Sequence, residues 1–593
     1  MFVVYSIQFP DTLYSSILGS PPASKKPRLD SQDCAKVEKL MEAIMMSKAD
    51  PSEYANPSNM FEIPFPFIGE IPDRFILTKG MIGFMGREKF TQLWDAVLSL
   101  HVGVDWLSTE SKPVFKKAML YGTLGFGKSH MLAALVTLLI RQGERKIVYI
   151  PDCKAFLENS FQYMRSALLT TFFRDKERFI QVLNAQILVD LKYICLSVAD
   201  GDLIFIIDQY NAIEVDDRLT ANNEKKLTCQ EFLNEISFKH CILRASSANN
   251  TTAVRDAHKQ RSELDMKWFG GLSDNEWHQW ALRFGTFLPS MDDDQLGRMR
   301  FGTGQVLLFL KVFTSPEHHD NDFEKAWESF ILQQEVVDMR RHLIDFSLEL
   351  SLPRETHIDM LKGCIMGYVK SDHNKYYDHR YLFVGKSLKA GCICGVASEI
   401  VAEILMNVNS GLFLECDWVQ HCKVLHDNPP MKGFMAEKAV LAAMRKQGFH
   451  LPNVSIQIDS HVIFFTGKEA ECLKSLENVL YVPDAFNYKA IDGLVRFITG
   501  KKLQIIAIQI FNGVRHSHSP SNFFPSCAVW ESDCMGYDIE WHFCWISPTK
   551  RASILHAEKM HDLRGCQSRA NPAYHEHFFS FGDIYSPLSF LDA

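Results

Sequence analysis

The chain has no run of apolar residues long enough to cross a bilayer, which takes about eighteen or more, so no membrane span or membrane partner is expected. It also lacks a surplus of positive charge. Its 63 Lys and Arg face 71 Asp and Glu, leaving −8 over 593 residues. No global attraction to nucleic acid follows, although a local basic groove can hide in an acidic average. No paired cysteine framework is present either. The 15 cysteines are scattered, which argues against a disulfide-stapled scaffold and fits a reducing compartment. Cys392 and Cys394 stand too close and too isolated for zinc, and Cys527, Cys534, His542 and Cys544 match no familiar zinc spacing, so structural cysteines are expected. The opening MFVVYSIQFPDTLYSSIL lacks a basic segment and is broken by Pro10 and Asp11, so it does not read as a cleaved secretory signal.

What the chain does have is GTLGFGKS, Gly122 to Ser129, between the apolar Ala118–Tyr121 and a helix-like run from His130 to Arg141. Glycine, four residues, glycine, lysine and serine form the pattern of a phosphate-binding loop. Gly122, Gly125 and Gly127 let the backbone bend and bring amide groups against phosphate oxygens, where a Cβ would block the approach. Thr123, Leu124 and Phe126 complete the cradle, and His130 follows it. Lys128 is expected on the β- and γ-phosphates and Ser129 on Mg2+, with the helix amino end adding partial positive charge. The cofactors expected are therefore ATP or GTP with Mg2+.

The strands that follow fit a parallel α/β sheet. Ile147–Ile150 is the second, and Leu203–Ile207 is a continuous apolar run, as a strand buried on both faces requires. That run ends in Asp208, which is expected at the carboxyl end of the sheet, where it holds Mg2+ through water. Gln209 follows where many ATPases carry a glutamate. An amide orients water but takes no proton from it, so binding is predicted more securely than turnover. A fourth strand, Cys241–Ala245, ends in Ser246, Ser247 and Asn249, candidates for the γ-phosphate end or a plain turn. Two helical segments are expected over Cys153–Ala199, and Ser273 with Glu276 forms a capping-box pattern ahead of Trp277 and Trp280, read as core.

With 47% hydrophobic and 23% charged residues the chain can bury ordinary cores, and its length predicts about three to four domains. Residues 1–70 are expected to be a header with a flexible linker, in which Lys25, Lys26 and Arg28 read either as a nuclear import signal or as a solvated basic run. Residues 71–329 are the expected nucleotide domain, 330–427 a helical connector with a winged-helix subdomain as an option, and 428–593 a carboxyl-terminal α/β domain.

The segments GTLGFGKSHMLAAL, VYIPDCKAF, LIFIIDQYNAIE and FGTGQVLLFL together resemble the nucleotide-binding module of the Crinkler effector and retrotransposon hot spot protein family, over about Gly83 to Leu310. The resemblance implies a P-loop NTPase related to STAND and AAA-like ATPases, behind a variable header and ahead of an effector domain that is often a restriction-endonuclease-like nuclease. It departs at Gln305 and Val306, where the family carries arginine and proline. If that segment senses nucleotide, its coupling to movement is altered here.

The carboxyl-terminal residues can be read for chemistry on their own. Glu437 lies on a helix, Asp492 precedes an apolar strand and Gln509 sits on the next one. Hard oxygen ligands in that layout suit a Mg2+ ion that activates water against a phosphodiester, and His516 is placed to assist proton transfer. The family's nuclease-like domain resembles this order of Asp, Gln and later His. The lysine usual two residues after the second ligand is Phe511 here, so an inactive remnant stands as the alternative. The expectation is a nuclear NTPase that controls a nuclease-like domain acting on DNA, against a nucleotide-dependent scaffold. A kinase effector is disfavoured because the carboxyl-terminal part has no His-Arg-Asp and Asp-Phe-Gly pair. ATP versus GTP, the nucleic acid, the oligomeric state and delivery to another cell stay open.

Overall fold

The computed structural model describes residues 31–100, 102–104, 113–115, 117–214, 221–246, 265–284, 291–314 and 322–349 of the amino-terminal part. In the carboxyl-terminal part it describes 368–369, 381–386, 392–396, 429–452, 454–458, 462–465, 478–483, 491–511, 536–552 and 572–592, with single positions between. The basic cluster Lys25, Lys26 and Arg28 lies outside them, as do Ser247, Asn249, His516 and Cys527. The chain divides into two units, the first made mainly of residues 1–297 and 304–330 and the second mainly of 331–373 and 384–593.

Among the described residues the first unit begins with helix Ser31–Met46 and a ribbon of β1 (Met60–Pro64) and β2 (Met81–Met85), paired antiparallel. A short pair, β3 (Val102–Val104) and β4 (Pro113–Phe115), precedes the main sheet. That sheet has five parallel strands in the order β6 (Lys146–Ile150), β7 (Leu203–Ile207), β8 (Cys241–Ser246), β5 (Lys117–Gly122), β9 (Met266–Trp268). Every residue of β7 is buried, as its unbroken LIFII run requires of a strand covered on both faces. Helix Lys128–Gln142 follows β5 and ends at Gly143, whose φ of 69° is the left-handed turn that closes a helix.

Two corrections to the sequence reading follow. Between Cys153 and Leu196 there are four helices in place of two segments, because Asp152, Asn159 and Asp175 each accept a hydrogen bond from the amide groups just after them and restart the helix. Residues 31–70 do not form a separate header. Val37, Met41, Ile44, Tyr54, Ile63 and Phe65 lie in one apolar core with Leu135, Phe156 and Phe205.

The second unit carries helix Pro429–Gln447 and a mixed sheet. Among the described residues of 330–427, expected to be helical, helix Gln334–Glu349 is followed by three strands, β10 (Tyr368–Val369), β11 (Leu382–Lys386) and β12 (Cys392–Val396). A small hairpin, β13 (Phe449–Leu451) with β14 (Val454–Ile456), follows the long helix. The large sheet runs β15 (Val462–Phe465), β16 (Val479–Pro483), β17 (Gly493–Thr499), β18 (Lys502–Ile510), β19 (Asp538–Ser547), β20 (Tyr574–Ser580). Its β16–β17 and β17–β18 pairs are antiparallel and the rest parallel. The β17–β18 hairpin turns at Gly500, with φ of 65°, so the residue before β17 and the end of β18 come together at its open end. Among the described residues no helix is long and apolar enough to cross a membrane.

Candidate functional site

The loop from Gly122 to Ser129 leaves the carboxyl end of β5 and enters its helix at Lys128. Gly122 is required by contact: a Cβ there would lie 1.6 Å from the carbonyl oxygen of Trp268 in β9, the strand whose oxygen also accepts the Thr123 amide at 2.9 Å. Gly127 is required by conformation, its φ of 99° being a region that L side chains avoid. Thr123 Oγ1 accepts from the Gly270 amide at 2.9 Å and so ties the loop to the segment after β9.

Lys128 is buried and folds back into the bend, where Nζ donates to the carbonyls of Gly122 at 2.9 Å and Thr123 at 2.7 Å. Burial lowers its pKa to about 8, with the charge of Asp208 acting in the opposite sense. The carboxyl ends of β5 and β7 flank β8, and both residues stand at the same end of the sheet. Ser129 and His130, half-buried, follow on the first turn of the helix. Burial, with the charges of Arg74 and Arg87 adding to it, depresses the His130 pKa to about 4, so this imidazole is neutral near pH 7.

Asp208 is buried at the tip of β7. Its Oδ1 accepts from the Gln209 amide at 2.8 Å, and its Oδ2 from Arg74 Nη2 at 3.2 Å. Gln209 itself has a φ of 53°, uncommon for a residue with a side chain, and starts the turn Tyr210–Ile213. Next to it Ser246 Oγ donates to Asn211 Oδ1 at 3.3 Å, so the polar tip of β8 faces the segment after Gln209.

Two arginines complete the site, and neither was singled out from the sequence. Arg74 reaches in from the segment before β2. Its Nη1 lies 2.8 Å from Asp152 at the end of β6, and its Nη2 bridges Asp208 and the Pro151 carbonyl. Arg87 is buried against the loop: Nη1 donates to the Phe126 carbonyl at 2.8 Å, Nε to Glu276 at 2.9 Å, and the guanidinium lies 4.7 Å above the Phe126 ring. Glu276 is held in turn by the Glu88 and Ser273 amides, and the Ser273 hydroxyl accepts from the Glu276 amide in the expected capping box. Trp277 and Trp280 are buried and stacked at 5.2 Å.

The departing segment also touches the loop. Gly304 and Gln305 both have left-handed φ, of 57° and 58°, and they set Val306, Leu307 and Leu308 against Gly125 and Gly127. A cleft of 780 Å³ between Met41, Arg145, Arg174 and Asp202 opens at the other end of the sheet, by the first residues of β6 and β7. The loop, Lys128 and Asp208 all stand at the carboxyl ends of the strands, away from that cleft.

In the second unit Asp492, Gln509 and Glu437 come together. Asp492 immediately precedes β17, and its Oδ2 accepts from Gln509 Nε2 at 2.7 Å and from the Ile510 amide at 2.6 Å. Burial, then the charge of Glu437, push the Asp492 pKa well above the carboxylate range, while the Ile510 amide and Lys438 pull it down. Lys438 is buried with Nζ 2.9 Å from Glu437 Oε1, so an ammonium does reach this cluster, from the helix and not from β18. Phe511 is buried apolar core, as a position without a charged group should be. Gln509 Oε1 is buried without a hydrogen-bond partner. Gln509 therefore serves as the donor to Asp492 while keeping one unused acceptor. Among the described residues no group of three or more His, Cys, Asp or Glu is placed to hold a metal ion.

No family model matches the chain. No curated protein matches it. Among solved structures, a Walker-type ATPase of Pyrococcus abyssi superposes with a TM-score of 0.32 at 13% identity, over 54% of this chain and 94% of that one. A superposition that loose supports no assignment.

Proposed function

We propose that the first unit binds a nucleoside triphosphate with Mg2+ in the loop Gly122–Ser129. The observation that carries this reading is the position of Lys128 at the start of the helix that follows β5, at the same end of the parallel sheet as the buried Asp208 after β7. The residues fit the ion: Ser129 and Asp208 are hard oxygen donors, and the bend that Lys128 fills with its own ammonium is lined by loop backbone. When bound, Mg2+ would neutralise charge on the β- and γ-phosphates. Lys128 would leave the two carbonyls for phosphate oxygen, and Gln209 would orient water without taking its proton, so turnover is slow. Fluorescent ATP and GTP analogues titrated against the protein test this. Lys128→Ala should weaken binding at least tenfold, and an unchanged affinity in that variant removes the assignment.

For the second unit we propose a nuclease-like domain acting on DNA with Mg2+, under the control of nucleotide binding, in the manner of a Crinkler or retrotransposon hot spot effector active in the nucleus. What supports it is the convergence of Glu437, Lys438, Asp492 and Gln509 at the open end of one hairpin. The chemistry of that donor set, two carboxylates and an amide with a spare oxygen, suits Mg2+ rather than zinc. The competing reading is a scaffold whose nuclease-like domain recognises a partner without cutting it, favoured by Phe511 and by Gln209. A Mg2+-dependent cleavage assay on single- and double-stranded DNA separates them: loss of cutting in Asp492→Ala supports the nuclease, and absence of cutting in the unmodified protein supports the scaffold.

A further inference from the structure

The loop and its acid are already satisfied by groups of this chain. Lys128 is bonded to two loop carbonyls, and Asp208 is paired with Arg74. Arg74 belongs to neither the loop nor the parallel sheet. It comes from the segment between β1 and β2, its guanidinium lies 5.2 Å from the Phe75 ring, and that ring packs 4.8 Å from His130 on the first turn after the loop. Its two terminal nitrogens divide their work. Nη1 holds Asp152, which caps the helix Cys153–Glu158 through the Lys154 and Ala155 amides, and Nη2 spans the Pro151 carbonyl and Asp208. One half of the fork is therefore anchored to a rigid corner of the fold, while the other half rests on the carboxylate that a bound metal would need.

We propose that Arg74 is the residue by which this site distinguishes a triphosphate from a diphosphate: it shields Asp208 until a γ-phosphate replaces that carboxylate as the partner of Nη2. The proposal rests on the nucleotide reading above and adds to it a residue outside the motif. A metal ion that takes Asp208 alone leaves Nη2 with the Pro151 carbonyl but no anion, and the part-buried guanidinium keeps one carboxylate, Asp152, in place of two, at the cost of a charge-assisted hydrogen bond. A diphosphate with the metal would do the same, because it brings no further phosphate to take the place of Asp208. Only a triphosphate brings an anion toward the carboxyl end of β7, where the charge-assisted hydrogen bond lost from Asp208 can be made again. Metal and triphosphate thus bind together or weakly, through an exchange of partners in which no covalent bond changes.

Arg74→Gln keeps a polar side chain, two atoms shorter, and removes the charge. Equilibrium titration with ATP and ADP, with GTP and GDP in parallel and with Mg2+ present, should show the unmodified protein preferring the triphosphate. The variant should lose roughly ten- to a hundredfold in triphosphate affinity, the worth of one charge-assisted bond, with diphosphate affinity within about twofold. In the same variant without nucleotide, Mn2+ titrated as a paramagnetic probe should bind more tightly than to the unmodified protein, because Asp208 has lost its competitor. Equal losses for both nucleotides, or an unchanged triphosphate affinity, overturn the proposal. So does weaker Mn2+ binding. Arg74→Lys, which keeps the charge without the fork, should fall between, and it carries the same test if the glutamine variant fails to fold. Failure of the underlying reading looks different: the unmodified protein then binds neither nucleotide in a Lys128-dependent way.

Discussion

At the residue scale, the difference between what could be read and what could not is the difference between a motif and a contact. Gly122, Gly127, Lys128 and Asp208 announce themselves because each has a job tied to a local neighbour: a turn, a helix start, a strand end. Arg74 and Arg87 have no such neighbour in sequence. Arg87 meets Glu276 across 189 positions, and Arg74 meets Asp208 across 134. No periodicity or spacing encodes such a meeting, and one arginine in a polar segment is a common sight on a solvated surface. The Arg87 and Glu276 side chains are both only 3% exposed, so the pair is buried together. Glu276→Ala leaves the guanidinium without its anion and frees the Glu88 and Ser273 amides as well. The expected loss is about 3–5 kcal/mol, the cost of breaking a buried pair from one side, read from urea unfolding of the first unit followed by tryptophan fluorescence. A loss below about 1 kcal/mol would mean that water replaces the carboxylate and that the pair is ornamental.

At the element scale, the parallel sheet was legible because β7 is apolar along its whole length and β5 runs straight into the glycine loop. The short helices between Cys153 and Leu196 were not separable by hydrophobic period. Their boundaries are set by single capping side chains, Asp152, Asn159 and Asp175, and a cap is visible in sequence only once the helix start is known. In the second unit, the convergence of Asp492 with Gln509 followed from hairpin register, since a strand pair that turns at Gly500 must bring the residue before β17 opposite the end of β18. Lys438 is not legible in the β18 pattern, because its ammonium comes from the preceding helix and meets Glu437 there. The β19–β20 contact adds a pH dependence. His542 Nδ1 lies 3.0 Å from His577 Nε2, and burial first, then the charges of His577 and His575, hold the His542 pKa down to about 4, with Glu540 opposing them. A histidine whose folded pKa lies below its unfolded value takes up its proton more readily when unfolded. Stability is therefore full above about pH 6.5 and falls as pH drops toward 4, by about 2 kcal/mol at pH 5 from this group. His542→Phe should flatten that part of the profile for the second unit in thermal unfolding between pH 7.5 and 5. A slope equal to that of the unmodified protein would assign the sensitivity to other groups.

At the scale of the whole chain, the core around the parallel sheet begins before residue 71, where the motifs suggest a start, and the reason is physical. Residues 31–70 carry no motif, and a helical run over Cys34–Lys48 followed by a loop-like stretch over Pro51–Pro66 reads as part of a header. Their apolar side chains are nonetheless buried in the same core that surrounds the parallel sheet, and the Pro64 carbonyl accepts a hydrogen bond from Thr137 on the helix after the loop. Asp33 holds Arg165 at 2.6 Å, which ties the first helix to the layer over β6 as well. A fragment beginning at residue 71 would expose the seats of Val37, Met41, Ile44, Tyr54, Ile63, Phe65 and Phe67, each fully or almost fully buried. At about 1.5–3 kcal/mol for each large side chain, the loss is on the order of 10 kcal/mol, comparable to the entire stability of an ordinary domain. Such a fragment should therefore be insoluble, or lack a cooperative thermal transition, and should bind no nucleotide even though every motif residue is present. A fragment beginning at residue 31 retains that core and should keep both properties. Equal nucleotide affinity in the two would mean that the early helix and ribbon only decorate the sheet, and the domain would then start where its motifs do.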